Sequence, residues 1–159
     1  MSIPLRSMTR LPDQTRQRAW RSLMRVHAHT VDAIDEALRS SQSLSVEWYE
    51  ALVELVLAGG SLRMGRFAEE TTLSKSAATR FVDRLEQAGL VERRACSDDR
   101  RGLEVALTDA GRQAQRRAAP LVLREIQRNF GRHLDDTEVA SLLVILRSVL
   151  EDRASSEDS

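Results

Sequence analysis

The segment from Ser74 to Gly89 constrains the fold most strongly, because it contains a start signal and a stop signal for a helix. Serine is a favourable residue at a helix N-cap, and glycine is common just beyond a helix C-terminus. Apolar side chains recur every three or four positions between them, at Ala78, Phe81, Val82 and Leu85. This spacing predicts an amphipathic helix that buries one face in a protein core.

The opposite face of this helix carries short polar side chains and an arginine, at Ser76, Thr79, Arg80, Asp83 and Gln87. Such groups can reach base edges in the major groove of double-stranded DNA. An acidic side chain is unusual on a surface that faces DNA. We therefore expect Asp83 to accept a hydrogen bond from a cytosine amino group or, more favourably, to orient Arg80 or Arg84. The first hypothesis is a helix that reads DNA.

The residues just before this helix predict a helix-turn-helix. A two-turn helix is expected over residues 65–71, and a tight turn over residues 72–73 leads into Ser74. Residues 61–64 are too short for an independent strand, so we expect them to pair with the edge of a hairpin elsewhere in the chain.

The residues just after Gly89 predict a β-hairpin. Two short strands are expected over residues 90–96 and 103–107, joined by a turn with Arg100 and Arg101 at its tip. A hairpin that follows a recognition helix is a wing, and a cationic tip suits the minor groove beside the major-groove contact.

Longer helices are predicted on both sides of this unit. They cover residues 13–39, residues 45–58 after the N-cap Ser45, residues 110–134 after the N-cap Thr108, and a last segment from Asp135 or Asp136. Pro120 is expected to kink or interrupt the third of them. The first and last helices carry apolar stripes that have no partner inside the winged unit, so pairing between two copies is the economical arrangement.

The expected fold class is mainly α with a minor β component. A winged helix-turn-helix domain over residues 45–108 is expected beside a helical dimerisation region over residues 13–44 and 109–154. Residues 1–12 are predicted to form a flexible arm, and residues 155–159 a disordered tail.

Composition narrows the function classes. The 24 basic and 24 acidic residues give no net charge, so DNA binding has to rest on local charge. The single Cys96 cannot form an internal disulfide, and three scattered histidines give no zinc spacing, so we expect no metal and no cofactor. No nucleophile, base and orienting group form a known motif, which argues against an enzyme. The absence of a long apolar run predicts a cytoplasmic protein without a membrane partner.

These residues together resemble the MarR family of transcriptional regulators of bacteria and archaea. The resemblance is carried by Leu62–Met64, Phe67–Ala68 and Ser74–Val91, and by a wing pattern that runs from Asp99–Arg101 through five residues to Leu107–Gly111. It covers roughly residues 13–153, although outside the central stretch it rests on helix order and length.

The resemblance implies a homodimeric repressor that binds a pseudo-palindromic operator and is released by a small-molecule effector, phenolic or otherwise lipophilic. It implies that Arg101 enters the minor groove and that Asp99 supports the wing. The other expected DNA contacts are Ser74, Lys75, Ser76, Thr79, Arg80, Arg84 and Arg100. An effector pocket is expected between the first two helices, at Trp20, Met24, His27, Trp48 and Tyr49.

Three alternatives stay open at this point. Bulky residues on apolar stripes fit a plain core role as well as a pocket. Oxidation of Cys96 would make the protein a redox-responsive regulator if the thiol is exposed near arginines that lower its pKa. A winged helix can also dock on a protein and bind no DNA.

Overall fold

The computed structural model describes residues 11–42, 44–95 and 102–157. Within those ranges the elements are α1 (Gln14–Gln42), α2 (Val46–Leu57), β1 (Ser61–Arg63), α3 (Met64–Glu70), α4 (Lys75–Gln87), β2 (Val91–Ala95), β3 (Leu103–Leu107), α5 (Asp109–Asn129), a 3₁₀ helix (Gly131–His133) and α6 (Asp136–Glu157). None of these helices is long and apolar enough to cross a membrane.

The three predicted N-caps are confirmed. The side-chain oxygens of Ser45, Ser74 and Thr108 each accept a hydrogen bond from the backbone N–H three residues later, at 3.3, 3.3 and 3.0 Å. These bonds satisfy N–H groups that have no partner inside the helix. Gly89 adopts a positive φ of 73° just past α4, as expected for a glycine that ends a helix.

The sheet has three antiparallel strands in the order β1-β3-β2, with β3 in the centre. Val91 of β2 lies opposite Leu107 of β3, and Leu62 of β1 lies opposite Val105 of β3. The predicted hairpin and the predicted pairing of the short strand with a hairpin edge are therefore both confirmed. The sheet closes one side of the unit formed by α2, α3 and α4.

One continuous core joins the winged unit to the C-terminal half of α1 and to α5. Phe67 of α3 and Phe81 of α4 pack with ring centroids 6.4 Å apart and planes tilted by 37°, a separation within the usual range for aromatic pairs. Ile34 and Leu38 of α1 are buried in the same cluster, as is Val122 of α5. The same core therefore holds α4, the C-terminal half of α1 and α5 in place.

The N-terminal half of α1 and most of α6 lie outside this core. Trp20 on α1 is 62% exposed and Val144 on α6 is 69% exposed. α6 makes little contact with the other described residues, whereas α1 packs along α5. Apolar side chains are therefore exposed along two long helices.

The helix ends differ from the sequence prediction in two places. α5 runs through Pro120 and gives way to a 3₁₀ helix after Asn129, so of the expected kink or interruption the interruption is absent. Pro120 itself is exposed, whereas Ala118 and Val122 on either side of it are buried in the core. α6 reaches Glu157, so residues 155–157 are helical although a disordered tail was expected there. Residues 136–157 contain no glycine or proline that would end the helix.

Candidate nucleic-acid interface

The exposed side of α4 is the centre of the candidate interface. Its N-cap Ser74 and the helix residues Lys75, Ser76, Thr79, Arg80 and Arg84 are all exposed, while the apolar face is buried. A helix whose core face is fixed and whose polar face is exposed can enter a major groove without losing packing.

Hydrogen bonds at the start of α4 fix its first turn. The hydroxyl of Ser74 caps the helix and lies 3.3 Å from the hydroxyl of Ser76. The hydroxyl of Thr79 donates to the carbonyl oxygen of Lys75 at 3.0 Å. Ser74 therefore stabilises the start of the helix and Thr79 is held by its own helix, whereas Arg80 extends an exposed guanidinium.

Arg84 is held against the core side of the helix. Its guanidinium carbon lies 5.5 Å from the centroid of the Phe81 ring, which is a cation–π contact. The cation therefore sits at a defined place near the edge of α4, where a phosphate or another anion can approach it.

Asp83 does not orient Arg80 or Arg84, and this prediction was wrong. Its carboxylate Oδ1 instead accepts a hydrogen bond from Arg93 Nη2 on β2, at 2.6 Å. Arg93 lies beside the helix because β2 folds back along α4, an arrangement set by the hairpin and not by spacing along the helix.

Arg93 joins the wing to the recognition helix through several bonds. Its guanidinium also donates to Glu86 Oε2 at 2.5 Å and to the carbonyl oxygen of Thr79 at 3.1 Å, and its backbone N–H donates to Glu86 Oε1 at 2.8 Å. Burial alone would lower the pKa of Arg93, but the bonds to Asp83 and Glu86 outweigh burial and raise it. The spacing of β2 does not single out Arg93, but Asp83 and Glu86, two acids three residues apart on α4, were a sequence signal for a cationic partner.

The tip of the wing lies outside the described residues. This applies to the predicted minor-groove residues Arg100 and Arg101, to the supporting residue Asp99, and to Cys96. The described stems, β2 and β3, pair over five residues each and lead away from the C-terminal end of α4.

An open cleft of about 1170 Å³ lies among α1, α2, α4 and α5. Side chains from α1, α2, α4 and α5 line it, as do residues of the turn before α4. Trp48 and Tyr49 of α2 form part of its lining, as do two arginines and four glutamates: Arg39, Arg84, Glu47, Glu50, Glu54 and Glu70. The cleft therefore touches both the long helices and α4.

The five predicted pocket residues are not brought together within one chain. Trp48 and Tyr49 line the cleft, whereas Trp20, Met24 and His27 lie on the exposed half of α1 outside it. The sequence indicated which faces of α1 and α2 are apolar. It did not indicate the position along α1 at which α2 packs.

Two ionisable side chains that line the cleft have raised pKa values. Burial raises the pKa of Tyr49. Burial first, and then repulsion from Glu47, raise the pKa of Glu50, while attraction to His27 opposes them. Among the described residues, no group of three histidine, cysteine or acidic side chains is placed to hold a metal ion.

Comparison with known proteins decides the family. A model described as the MarR family matches residues 42–102. AbsC, a MarR family transcriptional regulator from Streptomyces coelicolor, is 32% identical with a TM-score of 0.83 over 92% of this chain and 99% of AbsC. The chain belongs to the MarR family. Sco3205, a MarR family regulator from the same organism solved in complex with DNA, is 29% identical with a TM-score of 0.83 over 92% of each chain.

A curated MarR-type relative matches over a shorter stretch. The transcriptional repressor MdtR of Bacillus subtilis is 42% identical over 52 residues, which are 33% of this chain and 34% of MdtR. The match therefore covers much less than the full length of that repressor. Membership of the MarR family confirms the predicted winged helix-turn-helix fold and a transcriptional regulator rather than an enzyme.

Proposed function

We propose that this MarR-family regulator binds a pseudo-palindromic operator as a homodimer and represses transcription until an effector binds. The observation that carries the proposal is the exposed polar face of α4, from Ser74 to Arg84, fixed beside the wing by Arg93. Two such helices would enter successive major grooves about 34 Å apart. Arg100 and Arg101 would then reach the flanking minor grooves.

The roles within the interface divide by chemistry. Ser76, Thr79 and Arg80 project from the part of α4 that would face base edges, so they would choose the sequence. Lys75 and Arg84 carry charge at the borders of that face and would contact phosphates. Neutralising phosphates releases condensed counterions, which makes affinity depend on salt, while base contacts make it depend on sequence.

Selection from a random duplex pool tests the proposal. The protein should enrich sequences with two inverted half-sites about one helical turn apart. Fluorescence anisotropy on the enriched duplex should show that Arg80→Ala loses discrimination against scrambled DNA. Arg16→Ala, which removes the same charge at the start of α1, should leave discrimination unchanged. Failure of the wild-type protein to bind any duplex at physiological salt would instead favour a protein-docking module.

The homodimer is supported by the apolar surface of α6 and of the first half of α1. Exposed side chains on α6 include Leu143, Val144, Ile145, Val149 and Leu150. Burying a side chain of this size stabilises an interface by about 1.5–3 kcal/mol. Analytical ultracentrifugation should find a dimer that Val144→Asp combined with Ile145→Asp weakens. Leu57→Asp, which alters a 75% exposed leucine on α2, is the control. A wild-type monomer at micromolar concentration contradicts the dimer.

The effector is proposed to bind in the cleft as a lipophilic aromatic compound with an anionic group. Trp48 and Tyr49 offer aromatic surface, and Arg84 offers a cation for the anionic group, because Arg39 is already paired with Asp35. The glutamates that line the cleft would have to lie away from that group. A ligand there would touch α4 as well as the long helices. It would release DNA only by binding the DNA-incompetent arrangement more tightly than the competent one.

Benzoate and the larger aromatic carboxylate 2-naphthoate are suitable first probes of the cleft. A Trp20→Phe variant keeps Trp48 as the only tryptophan, so quenching of its fluorescence reports binding near α2. The same probes should release the selected operator from this variant, and Trp48→Ala should weaken that release. Quenching without operator release would separate binding from regulation and contradict the effector role for these compounds.

A further inference from the structure

Arg93 is the one side chain that ties the stem of the wing to the length of the recognition helix within the described residues. Its guanidinium and backbone N–H reach Thr79, Asp83 and Glu86, which follow one another along a single side of α4. The side chain is only 21% exposed, and both carboxylates accept from it at 2.6 Å or less. The contact therefore spans about two turns of the helix.

We propose that Arg93 is a positioning residue that sets the angle between α4 and the wing, so that the two engage the major and minor grooves in register. This inference rests on the proposed DNA-reading function. Val105 lies opposite Arg93 on β3 and is fully buried, so pairing with a core strand fixes β2 at this position. A guanidinium that donates to two carboxylates holds the strand and the helix in one relative orientation, because its N–H groups have fixed directions. A single hydrogen bond would leave that orientation free to change.

A different role would be direct contact between Arg93 and a phosphate. The two roles predict opposite signs for Asp83→Asn. If Arg93 contacts a phosphate, removing the negative charge of Asp83 frees the cation and should strengthen DNA binding. If Arg93 positions the wing, Asp83→Asn weakens the contact between Arg93 and α4. It should then weaken operator binding more than binding to scrambled DNA.

The experiment compares Arg93→Ala, Asp83→Asn and Arg93→Lys with the wild-type protein by anisotropy on operator and scrambled duplexes, with the folded fraction of each variant measured at the assay temperature. We expect Arg93→Ala and Asp83→Asn to lower the specificity ratio roughly tenfold. Arg93→Lys should recover only part of it, because an ammonium cannot make the same fork. The salt dependence on scrambled DNA should stay unchanged, since no phosphate contact is lost.

Arg94→Ala is the matched control, because Arg94 is the next residue on β2 and pairs only with Glu92 among the described residues. It should leave the specificity ratio unchanged. A lowered melting temperature with an unchanged ratio in Arg93→Ala would make Arg93 a stability residue only and overturn the inference. Tighter binding by Asp83→Asn would overturn it in favour of a phosphate contact. If the wild-type protein binds no duplex, the proposed function itself fails and the inference falls with it.

Discussion

Replacing Gly111 with alanine is expected to destabilise the protein by about 2 kcal/mol, although alanine is the better helix former. Gly111 lies in the first turn of α5, where that helix crosses the chain leaving α4. A Cβ atom at this position would stand 2.0 Å from the carbonyl oxygen of Leu90 and 3.0 Å from a methyl group of Leu107. Neither neighbour can move away freely, because the first is backbone and the second is a buried side chain.

Thr108 hydrogen-bonds to both segments that meet here, the chain just after α4 and the first turn of α5. The N–H of Thr108 donates to the carbonyl oxygen of Leu90 at 3.2 Å, and its hydroxyl donates to the carbonyl oxygen of Gly89 at 2.6 Å. The same hydroxyl accepts from the N–H of Gly111 at 3.0 Å. Overpacking costs up to about 3 kcal/mol, and the gain in helix propensity returns about 1 kcal/mol. The difference gives the expected 2 kcal/mol.

Urea denaturation followed by circular dichroism measures this change, at one protomer concentration because dimerisation would shift the apparent stability. Gly65→Ala is the matched control, since a Cβ there meets nothing within 4 Å. It should be neutral or stabilising by up to about 1 kcal/mol. If Gly111→Ala is as stable as Gly65→Ala, the close approach does not govern stability and the reasoning fails.

Three further changes test local interactions. Ser74→Ala should cost about 1 kcal/mol of stability by removing the cap of α4, and Ser74→Asp should restore it; equal stability of both variants would refute the cap. The bond from Arg39, and then that from the N–H of Val46, lower the pKa of Asp35, so its stabilising effect is present above pH 3.8 and is lost as the pH falls below that value. Asp35→Asn should therefore have a lower melting temperature than the wild-type protein at neutral pH. In acid the two melting temperatures should converge. Burial raises the pKa of Glu50 above 4.5, so its contribution is lost as the pH rises through the higher folded value; Glu50→Gln should raise the melting temperature at pH 7 and not at pH 4.

Much of the winged unit followed from local chemistry. The caps Ser45, Ser74 and Thr108 and the apolar period of α4 act over one to four residues, so the sequence alone was enough to place them. The exposed face of α4 followed from the same period, because side chains opposite a buried stripe have to face outward.

Contacts between distant segments required the tertiary structure. Leu62 pairs with Val105 across more than forty residues, and its partner strand could be named only as the edge of some hairpin. Asp83 was assigned to arginines on its own helix, whereas the fold of the hairpin gives it to Arg93. Trp48 lines the cleft and Trp20 does not, because the place where α2 crosses α1 is set by packing.

Capping and periodicity are properties of neighbouring residues, so the order of the amino acids was enough to predict the main helices and strands, where the helices begin, and which side of α4 is polar. Three features appeared only in the packed fold: Arg93 joins the wing to α4, Gly111 lies against the backbone of Leu90, and a cleft connects the long helices with α4. These features depend on distances between atoms far apart in the chain, and such distances are fixed only when the core packs.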